Sequence, residues 1–64
     1  GTHRLVGETG QVRGENLVFV DGELWRARRA DGASLEAGAR VRVESVEQEA
    51  LQLVVAAPEP TERT

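Results

Sequence analysis

The sequence holds no cysteine, which excludes disulfide staples and thiolate metal sites. It holds no lysine either: all eight basic residues are arginine. A lipoyl or biotinyl carrier module needs an acceptor lysine, and Schiff-base catalysis needs a lysine amine, so both classes fall away. Aromatic residues are scarce, with Phe19 and Trp25 the whole supply. The longest apolar run, Leu53–Ala57, is far short of the ~20 residues a membrane helix needs. No stretch reads as a signal peptide. Charge does not lean basic: the net charge is −3 and the pI about 5.0, which argues against general affinity for phosphate backbones.

Sixty-four residues leave room for one domain with one small core. A domain near this size buries about 60% of its unfolded surface, so packing and a closed hydrogen-bond ladder must do what staples do elsewhere. The start at Gly1-Thr2-His3, without Met, points to a piece of a longer protein. Residues 1–4 read as linker or cloning residues, 5–57 as the domain and 58–64 as a flexible polar tail behind Pro58 and Pro60.

Apolar residues recur at period two, the period of strands. The first strand is expected over Leu5–Arg13, with Gly7 and Gly10 suited to a bend or a close backbone approach at a barrel corner. A turn at Gly14-Glu15 leads to Leu17–Val20, apolar on both faces, with Phe19 expected in the core. Asp21-Gly22 is a strong hairpin signal, because a type I′ turn needs positive φ at both positions. Glu23–Arg29 forms the third strand, with Trp25 and Ala27 inward and Leu24, Arg26 and Arg28 outward. Leu35 is placed to plug a barrel end, and Gly38 allows the entry into the fourth strand, Arg40–Glu47. There Val41 and Val43 point in, and Arg40, Arg42 and Glu44 point out. Val46 has the opposite parity, which predicts a bulge. The fifth strand, Ala50–Ala56, is expected to place Leu51, Leu53 and Val55 on one face. A helix over Ser34–Arg42 competes, but Gly38 and the following Val-X-Val pattern limit it to a single turn. Five short strands predict an all-β fold, a small five-stranded barrel that hides its apolar edges by closing.

Catalytic groups do not assemble in this pattern. His3 is the one histidine, at the chain's edge. Ser34 and Ser45 lack an activating base. No carboxylate sits in an apolar run that would raise its pKa, and Glu47 and Glu49 lack the spacing of a calcium loop. No catalytic residue, cofactor or metal is expected. The arginines are the positive feature: Arg26 and Arg28 share one face of a strand, as do Arg40 and Arg42. With Trp25 near a barrel mouth they form the candidate partner-binding set, since Arg and Trp are enriched at contact hot spots. Binding of single-stranded nucleic acid is the alternative, weakened by two aromatics and by Glu23 and Glu44, which interrupt the basic stripe.

The stretch from Leu5 to Val55 resembles the C-terminal domain of NfeD-like proteins. Leu5-Val6-Gly7-Glu8-Thr9-Gly10 carries the start of the resemblance, and Val18-Phe19-Val20-Asp21-Gly22-Glu23-Leu24-Trp25-Arg26-Ala27 its most specific part. Leu35-Glu36-Ala37-Gly38, Val41-Arg42-Val43 and Leu51-Gln52-Leu53-Val54-Val55 complete it. The resemblance implies an OB-type barrel that follows transmembrane helices in the parent chain. The domain is then the soluble part of a cell-membrane protein, with the cytoplasmic side expected. It also implies a stomatin-, flotillin- or prohibitin-like membrane protein as partner, or an accessory role beside a linked membrane serine protease. In the family the turn between the last two strands often holds Gly; here it reads Glu47-Gln48-Glu49. The segment between the first two strands, Val12–Asn16, is also shorter than in many members.

Overall fold

The computed structural model describes residues 2–58. Five strands follow one another: β1 (Thr9–Gly14), β2 (Leu17–Val20), β3 (Glu23–Arg29), β4 (Arg40–Glu47) and β5 (Gln52–Val55). β1 pairs antiparallel with both β2 and β4, and β2 pairs antiparallel with β3. β5 completes the ring, parallel to β3 and antiparallel to β4. The result is a closed barrel in the order β1-β2-β3-β5-β4. It is the five-stranded barrel that the alternation predicts, of the OB type that the resemblance implies, and closure leaves no long unpaired edge among the described residues.

Alternation fills the barrel. Val12, Val18, Val20, Ala27, Val41, Val43, Leu53 and Val55 are each at most 1% exposed and form one core, with Leu5 and Leu35 closing on it. Trp25 points inward as expected and packs on this core, half-buried. Asp21 and Gly22 both have positive φ, at 53° and 82°, the signature of the type I′ turn. The bulge implied by Val46 lies at Glu44: the register steps from Val43↔Val55 to Ser45↔Val54, leaving Glu44 as the extra residue. Ser34–Arg42 makes no helix. Gly38, at φ 92°, turns the chain into β4, and its N–H donates to the Val12 carbonyl.

Three expectations fail at particular residues. The first strand starts at Thr9, not Leu5. Thr2–Leu5 is a turn of 3-10 helix, and the Glu8 N–H donates to the Leu5 carbonyl. Gly7, at φ 91°, then redirects the chain. The fifth strand is shorter than Ala50–Ala56, and Leu51 leaves the inward face: it is 78% exposed at φ 54° in the turn before β5. Phe19 is not a core residue. It alternates with the buried Val18 and Val20 and so faces outward. The tail expected over 58–64 lies, beyond Pro58, outside the described residues.

Candidate functional site

The outer surface divides into two differently furnished sides. On one, β5 lies between β3 and β4, and polar groups tie the strands together. Arg28 on β3 donates through Nη2 to Glu47 Oε2 on β4 at 2.6 Å, so the pair crosses β5. Gln52 on β5 donates to the other Glu47 oxygen, also at 2.6 Å. These two hydrogen bonds, from Arg28 first and Gln52 second, hold the Glu47 carboxyl below the usual range. At one barrel end Arg29 grips Asp31 with two hydrogen bonds, at 2.5 and 3.0 Å, and donates to the Ser34 carbonyl. The Asp31 carboxyl is lowered by Arg29 and by the Ala33 N–H.

The other side spans β4, β1, β2 and β3. Register pairs lay out one row across it: Arg40 opposite Gln11, Gln11 opposite Phe19, Phe19 opposite Leu24. A second row runs Gly14, Leu17, Arg26, and Arg42 lies opposite Thr9. Leu17 and Leu24 are 39% and 54% exposed. Arg13 arrives by a device of its own. The β1–β2 register passes from Val12↔Val18 to Gly14↔Leu17, so Arg13 is the inserted residue of a bulge. A bulge re-aims a side chain, and the Arg13 guanidinium lies 4.6 Å from the Phe19 ring centroid, a cation–π contact. Between Phe19 and Arg40 a shallow depression of about 340 Å³ is lined by Thr9, Gln11 and, at its end, Asp21.

The candidate residues thus separate. Arg40 and Arg42 on β4 and Arg26 on β3 flank the β1–β2 hairpin. Arg28 turns to the opposite side and is held by Glu47. Trp25 lies inside the wall, its indole N–H buried without an acceptor among the described residues. Arg13, Leu17 and Phe19 were not singled out from sequence as contact residues. Leu24 had a legible signal, since it shares the outward parity of Arg26 and Arg28. Among the described residues no group of three or more His, Cys, Asp or Glu side chains could hold a metal ion, and no helix is long and apolar enough to cross a membrane.

Three outward apolar side chains, Leu17, Phe19 and Leu24, thus share one side of the OB-type barrel with the arginines around them. The chain belongs to the NfeD-like family: residues 2–55 match the family model described as the NfeD-like C-terminal, partner-binding domain. It is therefore a partner-binding, protein-interaction domain. It is also similar in structure to the C-terminal domain of stomatin operon partner protein 1510-C from Pyrococcus horikoshii. The TM-score is 0.77 and the identity 32%, over 91% of this chain and 92% of that one. No curated protein matches the sequence significantly.

Proposed function

We propose that this chain is the partner-binding barrel of a membrane-anchored NfeD-like protein, and that it docks on a stomatin-, flotillin- or prohibitin-like membrane scaffold protein without catalysing a reaction. The observation that carries this reading is the family match over residues 2–55, joined to a structural neighbour that is named as a stomatin operon partner. In this reading residues 5–57 are the barrel unit, and the 3-10 turn of Thr2–Leu5 leads into it. The contact is made on the side flanked by Arg26, Arg40 and Arg42, which make no ion pair among the described residues. Arg28 is already committed to Glu47.

The test is capture of the scaffold protein by an Arg26→Glu/Arg42→Glu double variant whose Trp25 fluorescence shows a native barrel. Capture should fall at least tenfold. Capture at the parental level would remove this side from the contact.

The oligonucleotide reading has less support. OB barrels that bind oligonucleotides use the face of strands 2 and 3 with stacking rings. Here that face offers one ring, Phe19, and two leucines. Titration with labelled single strands at low salt should show no salt-dependent binding tighter than ~10 μM.

A further inference from the structure

The outer face of β1, β2 and β3 combines two features that solvated strands do not need together. Leu17, Phe19 and Leu24 form a contiguous apolar strip, each lying on β2 or paired directly to it. Around the strip stand Arg13, Arg26 and Arg40, all exposed and without a carboxylate partner among the described residues. The charge is unbalanced on this face. β1 and β2 contain no Asp or Glu; Glu15, in the turn between them, makes no ion pair among the described residues, and Asp21 in the turn after β2 is taken by Arg4. Glu23, at the first position of β3, has the strand parity of Trp25 rather than of Leu24.

We propose that this face is the docking surface for an acidic amphipathic peptide segment of a partner protein. Its aliphatic side chains cover Leu17, Phe19 and Leu24, and its Asp or Glu carboxylates pair with Arg13, Arg26 and Arg40. Arginine presents a planar fork that matches a carboxylate bidentately, which suits such a rim. The row from Arg40 to Leu24 crosses three inter-strand steps, about 14 Å measured along the curved wall. The depression between Phe19 and Arg40 receives one side chain of the segment. A lipid surface fits less well. The face belongs to a narrow convex barrel rather than a flat plate, and the chain's net charge of −3 opposes an anionic bilayer.

The proposal rests on the partner-binding reading but fails separately from it. The experiment pans a phage-displayed library of random 16-residue peptides against the immobilised 64-residue chain, then measures selected peptides by fluorescence anisotropy. Enriched peptides should carry net negative charge with Leu, Ile or Phe at a helical or strand period. Their binding should weaken at least tenfold in Leu24→Ser and in Arg13→Glu/Arg40→Glu, and stay unchanged in Leu51→Ser, the exposed leucine elsewhere on the barrel. All three variants change exposed side chains, and Trp25 emission checks their folding. Absence of enrichment, enrichment of basic peptides, or binding that survives the face variants would overturn the proposal. Binding to phosphatidylglycerol vesicles, or self-association in sedimentation, that is lost in Leu24→Ser would overturn it too, by giving the face to a bilayer or to a second copy. Scaffold capture without acidic-peptide selection sinks this inference and leaves the partner reading; peptide selection without scaffold capture does the reverse.

Discussion

A Cβ added at Gly10 would stand 2.5 Å from Val20 Cγ2, 2.7 Å from Val18 Cγ1 and 2.8 Å from the Phe19 carbonyl oxygen. Two of these are buried side chains and one is backbone, so there is little room to yield. Gly10→Ala should cost about 1–3 kcal/mol in chemical denaturation, while Gly14→Ala, with open space around it, should change stability little. The close approach expected of Gly10 was legible because glycine inside a strand has few other uses. Phe19 and Arg13 were not legible. In Leu-Val-Phe-Val all four residues are apolar, so alternation cannot say which pair faces the core. Nothing in Val12-Arg13-Gly14 marks a bulge before the pairing register is known. Glu47 carries a pH dependence. Its pKa is lowered in the folded chain, so its stabilising effect is present above the ordinary carboxylate value near 4.5 and is lost as pH falls through the lowered value. Thermal melts between pH 2 and 7 should show a shallower acid decline for Glu47→Gln than for the parent; parallel curves would contradict the role given to the Arg28–Glu47 pair.

Elements were most readable where local chemistry and tertiary structure agree. Asp21-Gly22 forms its type I′ turn because both residues tolerate positive φ. The alternation Arg40–Val43 survives as the start of β4. The two elements misjudged in extent both end in turns built by unexpected residues. Leu5-Val6-Gly7 has a strand-like pattern, yet the 3-10 turn before it buries Leu5 at the barrel end. At the other end the chain needs a left-handed residue before β5, and Leu51 fills it at φ 54°. The left-handed conformation costs a non-glycine residue roughly 1–2 kcal/mol, part of which glycine returns as backbone entropy on folding. Leu51→Gly should therefore raise stability by up to ~1 kcal/mol, read as a higher urea midpoint with an unchanged slope. A lower midpoint would mean that the exposed Leu51 side chain has a packing role its surroundings do not reveal.

At the scale of the whole molecule, closure organises both stability and function. The ring has five strands, and pairing β3 to β5 in parallel puts Arg28 beside the β4–β5 hairpin rather than with Arg40 and Arg42. Sequence parity correctly says that all four outward arginines leave the core. It cannot say that the barrel wall sends them to different sides, because that depends on strand order rather than strand pattern. The barrel thus has a braced side, where Arg28, Glu47 and Gln52 satisfy one another, and an open side, where Leu17 and Leu24 are exposed and Arg26, Arg40 and Arg42 make no ion pair among the described residues. The proposed contact with the partner is on the open side. Nuclear magnetic resonance of the isotopically labelled 64-residue chain, titrated with the stomatin-like scaffold domain, tests it most directly. Amide shifts should concentrate at Gln11, Arg13, Leu17, Phe19, Leu24 and Arg26, with Arg28, Glu47 and Leu51 unmoved. Shifts centred on the Arg28–Glu47 side or on the Leu51 turn would contradict it.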